Sequence, residues 1–503
     1  MRDSKAKLNL EKQQTTVDLW ASAGASKHRT DRQTKETSQW EKIDWLKAEG
    51  EVKRLQRRIA QAVREKRWGK VRVLCRILTR SQSAKWLAVR RVSTNKGART
   101  PGVDNILWKS PQQYWEAAQS LTRRGYRAQP LRRVYIVKRN GRLRPLGIPT
   151  MKDRAMQALY ALALAPIVES RADPNSYGFR PYRSTHDAIE QLVICLSRRC
   201  SGQWVLEGDI KACFDEIGHQ WLMEHVPMDR EVLRQWLKAG FVEKGQLFPT
   251  RAGTPQGGVI SPLLANWTLD GLEATVKGLF GRRPKVHVVR YADDFVVVAE
   301  TQEILEQTVK PVIQKFLAER GLRLSEEKTV ITHIRDGFDF LGKTVRKFGT
   351  QLIVQPSKAA AKSIRAKLGG LLRASRSTPY DVLLKKLNRL LRGWGNYHRF
   401  TCSSRVFGKV HHWLREGIWR WIKRQHKGKR LRRHLTKYFA KGLWTHSAWT
   451  KGGSGTPRLI ELVRLCALEL RRHIKIRGAA NPYDPQHTDY FRMRRELGTS
   501  RPA

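Results

Sequence analysis

Apolar residues recur at helical spacing near the start of the chain. Val52, Leu55, Ile59 and Val63 lie three or four apart, and Val71, Leu74 and Leu78 continue the stripe on a second segment. The period then shortens. LRRVYIVK (131–138) and RLRPLGIP (142–149) flank Arg139-Asn140-Gly141, and an Asn-Gly step between two such runs predicts a β-hairpin. VHVVR (286–290) and FVVVA (295–299) predict a second hairpin with Tyr291-Ala292-Asp293-Asp294 at its tip. Val205 and Leu206 predict a buried strand leading into Asp209. From about residue 357 the pattern is helical and rich in Leu, Arg and Trp, and KGGSGTPR (451–458) reads as a loop before a last helix near 459–474. No internal repeat is present. The order of elements predicts an α+β fold, with an antiparallel sheet in the middle and helices on either side. It divides into a polar, mobile N-terminus (1–40), a helical extension (41–105), a mixed region (106–345), a helical region (355–445) and a C-terminal appendage (446–503).

Charge changes this picture more than length does. The 503 residues carry 98 Lys and Arg against 44 Asp and Glu, a net charge of +54, while 40% hydrophobic content is enough to build cores. Self-repulsion on that scale calls for a polyanionic partner. No run of about 18 apolar residues offers a membrane span. MRDSKAKLNLEKQQTT lacks the apolar stretch of a secretory signal, so a cytoplasmic, nucleoid-associated protein of bacterial type is expected. The six scattered cysteines include no C-x-x-C pair, which argues for reduced thiols and against a structural zinc site. The charge is also uneven. Residues 201–300 hold 11 basic and 13 acidic side chains, whereas 351–450 hold 24 basic and only two acidic ones. A near-neutral segment beside a concentrated polycation is how a metal-using site and a nucleic-acid-gripping region divide their work.

Asp293 and Asp294 carry the most specific chemical signal. Adjacent carboxylates at a hairpin tip repel each other, and a hard divalent cation relieves that repulsion through oxygen ligands. Asp209, at the end of a neighbouring strand, would complete a set of three. Such a set can hold two Mg²⁺ ions about 3.5–4 Å apart for in-line nucleotidyl transfer. Read alone, Asp209 is equally a helix cap and the Asp pair a solvated acidic turn.

Taken in order, these motifs resemble the reverse transcriptases encoded by group II introns, which also act as maturases, over roughly residues 41–445. WVLEGDIKACFDEI (204–217) and RYADDF (290–295) resemble the palm strands, SYGFRPYRSTHDAI (176–189) a fingers block, GTPQGGVISPLLAN (253–266) the nucleotide-positioning segment, and KLNRLLRGWGNYHR (386–399) the thumb or maturase domain. The resemblance implies a right-hand polymerase, fingers and antiparallel palm, followed by an α-helical thumb. It implies Asp209, Asp293 and Asp294 as catalytic metal ligands, with the Ile210 carbonyl beside them. Lys138, Arg144, Phe214, Gln256 and Lys328 would meet the incoming nucleotide. Lys138 and Arg144 would face the triphosphate and Phe214 the sugar, where it would select dNTPs. Ordinary readings remain for each: strand-edge charge for Lys138 and Arg144, core packing for Phe214, a helix cap for Gln256, an intrahelical ion pair for Lys328. Gly253, Gly257 and Gly258 would let backbone approach a nucleotide.

Arg392, Trp394, Arg420, Lys423, Arg424, Lys427 and Arg430 are the candidate RNA contacts, cations for phosphate and an aromatic for stacking. Trp394 also reads as thumb core. Trp419 and Trp421, two apart, cannot share a helical face. The implied partners are group II intron RNA, an RNA template with a DNA primer, target DNA and dNTPs, with no membrane. The implied function is RNA-directed DNA synthesis joined to intron splicing and retrohoming. A splicing-only protein, or a reverse transcriptase recruited to host defence or repair, are the alternatives. RRHIKIRGAANPYDPQHTDYFRMRRELG (471–498) resembles the connector that in many relatives precedes an H-N-H endonuclease, so no second-strand cleavage is expected of this chain.

Overall fold

The computed structural model describes residues 39–137, 141, 143–254, 257–281, 285–426, 435–439, 445–451, 456–498 and 500–502. The chain forms two compact units, one running to Thr332 and joined by Ile476–Gly498, the other spanning His333–Lys475 with the last few residues.

In the first unit, three helices, Trp45–Arg64, Trp68–Arg80 and Gln82–Thr94, pack on a fourth, Met151–Arg171. Val52, Ile59 and Val63 lie buried on the first, Val71, Leu74 and Leu78 on the second, as the spacing predicts. Asp44 begins the first helix by accepting the Lys47 N–H at 2.9 Å. The fourth helix is buried on nearly every side. Each fully buried aliphatic side chain here contributes about 1.5–3 kcal/mol.

Two sheets follow. The hairpin β1 (Leu131–Val137) and β2 (Leu143–Ile148) forms in the predicted place, with Arg144 opposite Ile136. β3 (Trp204–Asp209) belongs to another sheet, and a short hairpin, β4 (Phe241–Glu243) and β5 (Gln246–Phe248), extends the first, giving the order β2-β1-β4-β5. β4 pairs with β1 in parallel. The second sheet has the order β6-β7-β3-β8, with β6 at His287–Tyr291, β7 at Asp294–Ala299 and β8 at Val330–His333. β7 runs antiparallel to both β6 and β3. Its continuous valines, Val296, Val297 and Val298, are fully buried, as a strand covered on both faces requires.

In the second unit, β9 (Phe338–Phe340), β10 (Lys343–Phe348) and β11 (Gln351–Pro356) form an antiparallel sheet. Three helices, Lys358–Ala374, Tyr380–His398 and Ser404–Gln425, share one apolar core. The expected last helix near 459–474 is absent. In its place stand β12 (Ser447–Lys451) paired with β13 (Pro457–Glu461), a short 3₁₀ turn and β14 (Arg471–His473), which pairs with β15 (Ser500–Pro502). Asn388 explains the difference. Its buried amide donates to the Glu461 carbonyl at 2.7 Å and accepts the Val463 N–H at 2.8 Å. These tertiary bonds satisfy backbone that a helix would have satisfied locally, so weak propensity is overridden.

The appendage 446–503 divides. Residues 476–498 return to the first unit, where the last helix is Thr488–Glu496. Arg183 donates to the Gly478 and Ala480 carbonyls at 2.8 and 3.2 Å. Asp187 accepts the Ile476 N–H at 2.7 Å and pairs with Arg494 at 3.3 Å. Asn481 bonds Ser170 at 3.0 Å, and Arg64 pairs with Asp484.

Candidate active site

The antiparallel register places Asp209, last residue of β3, directly opposite Asp294, first residue of β7. Directly opposed side chains have Cβ atoms about 4.5–5.5 Å apart. Asp293 lies in the two-residue turn between β6 and β7, whose other residue, Ala292, is left-handed at φ 58°. The turn is backed by the loop at Gly178. A Cβ on Gly178 would come within 2.3 Å of the Ala292 nitrogen, so only glycine allows this approach.

Asp293 is raised above the ordinary carboxylate range, first by burial, then by the negative charges of Asp294 and Asp209, while Arg144 opposes the shift. Arg144, on the hairpin of β1 and β2, is the cation that opposes the shift. Lys328 reaches Asp209 more directly, its Nζ 2.9 Å from Oδ2. Burial works to lower the Lys328 pKa, but the hydrogen bond and charge of Asp209 carry it upward. Lys328 sits in a turn, so the intrahelical ion pair considered for it does not form; its partner comes from β3.

Ile210 follows Asp209 with a buried side chain. It faces Leu324 as a bridge flanked by Ser325 N–H to Asp209 O at 2.8 Å and Lys211 N–H to Arg323 O at 3.0 Å. In that pattern the middle residue's own N–H and C=O point away from the bridging strand. Phe214 is half-buried, its ring edge-on to Phe179 at 6.0 Å. Phe179 and Ala212 are also left-handed, at φ 57° and 44°; Phe179 follows the glycine that backs Ala292, and Ala212 follows Asp209 by three residues. Thr254 N–H bonds the Phe214 carbonyl at 2.6 Å, docking the start of the glycine-rich segment on the Phe214 backbone. The tight approach at Gly253 (φ 82°) is to the Asp215 backbone, where a Cβ would meet the carbonyl oxygen at 2.5 Å. Lys138 and Gln256 lie outside the described residues.

The donors fit a hard divalent cation in kind: carboxylates and a main-chain carbonyl, with no thiolate. They are not gathered into a ligand set as they stand. Among the described residues no three carboxylate, histidine or cysteine side chains converge to hold an ion, and Asp209 is engaged by Lys328.

In the helical unit, Arg392, Arg420, Lys423 and Arg424 are exposed. Lys427 and Arg430 lie outside the described residues, as do Lys429, Arg432 and Arg433. Trp394 is only 8% exposed and packs on Phe407 and His398, so its ring has no face for a base, and its reading as an RNA contact is corrected to core. Trp421 is also core, donating to the Ser375 carbonyl at 3.0 Å, whereas Trp419 is half-buried with the Lys423 Nζ 5.7 Å above its ring. Trp449 is 62% exposed.

Opposed aspartates on antiparallel strands, a third in the turn and a basic hairpin within reach define a template-directed polymerase palm. Three family models agree: an N-terminal domain of reverse transcriptase over 40–121, a reverse transcriptase (RNA-dependent DNA polymerase) over 136–345, and a group II intron, maturase-specific domain over 361–439. The chain is 34% identical to protein YkfC of Escherichia coli over 354 residues, 60% of this chain and 92% of that one. It is 30% identical to the group II intron-encoded protein LtrA of Lactococcus lactis over 348 residues, spanning 56% of this chain and 57% of LtrA. A telomerase structure from Candida albicans covers 63% of this chain and 65% of that one at 13% identity and a TM-score of 0.37, a likeness too slight to add to the fold above. The chain belongs to the group II intron reverse transcriptase/maturase family, in which an RNA-directed DNA polymerase and a splicing maturase share one polypeptide. No helix among the described residues is long and apolar enough to cross a membrane.

Two features escaped the sequence. The return of 476–498 leaves no periodic signal. Arg290, penultimate in β6 before the carboxylate turn, looks like an ordinary strand-end charge, yet it is almost wholly buried.

Proposed function

We propose that the chain copies RNA into DNA by metal-assisted nucleotidyl transfer at Asp209, Asp293 and Asp294, and that its basic helices hold the intron RNA. The observation that carries this reading is the register that opposes Asp209 to Asp294 with Asp293 in the adjoining turn. Two Mg²⁺ ions bound there would lower the pKa of a primer 3′-hydroxyl and neutralise the leaving pyrophosphate. The three aspartates and the Ile210 carbonyl would supply the oxygens, and Lys328 would leave Asp209 as a cation binds. Arg144, with Lys138, would offset triphosphate charge, because fixed cations stabilise a transferring phosphoryl group without reorganising. Phe214, set by Phe179, would close the space a ribose 2′-hydroxyl needs, and Gln256 would contact nucleotide or template.

Residues 106–345 act as fingers and palm, 41–105 as an N-terminal extension, and 355–445 as the thumb and maturase region. Arg392, Arg420, Lys423, Arg424, Lys427 and Arg430 grip intron RNA phosphates. The net charge favours residence on nucleic acid at the nucleoid, and target DNA primes copying during retrohoming. Primer extension on an RNA template with Asp293→Ala tests the assignment. Loss of cDNA with retained RNA binding is expected, and cDNA synthesis at the wild-type rate would refute it.

A further inference from the structure

Arg290 is the penultimate residue of β6, one residue before the two-residue turn that carries Asp293. The mechanism above gives it no task, yet its side chain is 2% exposed, an expensive place for a guanidinium. Its Nη2 pairs with the Asp270 carboxylate, itself 7% exposed. Its Nη1 donates to Asn266 Oδ1 at 3.2 Å and to the Ala292 carbonyl at 3.3 Å. Ala292 is the left-handed residue of the turn. Asn266 donates in turn to the Gly178 carbonyl at 2.9 Å, and Gly178 is the residue that backs Ala292.

The backbone closes the same circuit. Arg290 N–H bonds the Asn175 carbonyl at 3.0 Å, and Tyr177 N–H bonds the Arg290 carbonyl at 2.9 Å. Arg290 Nε and Asp270 Oδ2 are buried without partners, so the pair is not there for full polar satisfaction. Apolar residues of similar volume would serve a core as well or better. A planar guanidinium differs from them in supplying several donors in fixed directions.

We propose that Arg290, held by Asp270 and Asn266, is a positioning residue for the catalytic turn. Its guanidinium clamps the Ala292 carbonyl and so fixes the direction in which the Asp293 and Asp294 carboxylates point. This rests on the reading of those carboxylates as metal ligands. The contact is made two bonds from the Asp293 backbone, so a small rotation of the turn without it moves both carboxylates together. Displacement of a reacting group by about 1 Å costs on the order of a hundredfold in rate.

The test uses the full-length chain with Arg290→Lys and the double variant Arg290→Met/Asp270→Leu. The first keeps the charge and loses the fork. The second removes both buried charges and fills the space. Melting temperature, primer–template affinity, KM for dNTP, kcat of primer extension, and Mn²⁺ binding followed by its EPR signal are measured on each. The expected result is a folded protein with primer–template affinity and KM within about twofold of wild type, weaker Mn²⁺ binding, and kcat lower by about ten- to a hundredfold. A folded variant of either kind with wild-type kcat and Mn²⁺ binding overturns the clamp and leaves Arg290 a core ion pair. If Arg290→Lys does not fold, the double variant decides. Asp293→Ala runs in parallel: if it keeps activity, the catalytic reading fails and not the clamp alone.

Discussion

The two units use the same residue type in opposite ways. In the first, arginines are taken inside and paired. Arg180 and Glu169 are each 3% exposed and meet at 2.8 Å, and Arg290 and Asp270 are buried together. In the second, the helix Ser404–Gln425 buries Phe407, Val410, Leu414, Ile418, Trp421 and Ile422 along one stripe and turns Arg420, Lys423 and Arg424 to solvent. Inside, a guanidinium's directed donors reach backbone at the carboxylate turn. Outside, its charge acts at a distance and is screened by salt. Geometry and grip are therefore separable properties, and each can be damaged without the other.

The largest effect should come from the first unit. Asp293→Ala, or removal of divalent cations by chelation, should lower primer extension by about a thousandfold or more, because several kcal/mol of charge stabilisation goes with the metal. Equilibrium RNA binding measured by filter retention should stay within about twofold; a parallel loss of binding would merge the two functions. Next, Trp394→Ala should cost about 3–5 kcal/mol in denaturant unfolding of the second unit, as for other buried aromatics. An RNA-binding defect with unchanged unfolding would restore Trp394 as a contact. Reversing Arg420, Lys423 and Arg424 to glutamate should weaken intron RNA binding and reduce its log–log salt slope by roughly 0.7–0.9 per lost phosphate contact. Extension of a short primer–template should change little, and an unchanged salt slope would make the cluster a solvated face. The smallest effect is expected from Asn388→Ala, about 1–3 kcal/mol from the unsatisfied Glu461 carbonyl and Val463 N–H. Amide exchange should show it first in the β12–β13 hairpin.

What the sequence showed depended on how local the cause was. The fingers hairpin could be read from Asn140-Gly141 and the flanking alternation, and the palm hairpin from two apolar runs around two aspartates. The opposition of Asp209 to Asp294 followed once both strands were placed. The stretch 459–474 failed because Leu459, Val463, Cys466 and Leu470 have helical spacing, while the deciding bonds come from Asn388, some seventy residues upstream. Lys328 looked like a partner for its neighbouring glutamates, but its carboxylate lies 119 residues away on β3. Trp394 shows the limit of composition. An aromatic in a basic segment suggests stacking on bases, and only the fold reveals which side of the helix it occupies.

The return of Ile476–Gly498 also has a consequence for synthesis. A ribosome makes the body of the first unit, then all of His333–Lys475, and only then the strand of chain that meets Arg183 and Asp187. At about 5–20 residues per second, roughly seven to thirty seconds separate the two events. During that interval Arg183 lacks two of its carbonyl acceptors, and Asp187 lacks both Ile476 and Arg494. The last contacts of the first unit can therefore form only after the second unit has been translated. Protease sensitivity of chains stalled on the ribosome before Ile476, compared with released protein, measures that delay; equal protection around Arg183 in both would show that the final segment adds nothing to the timing.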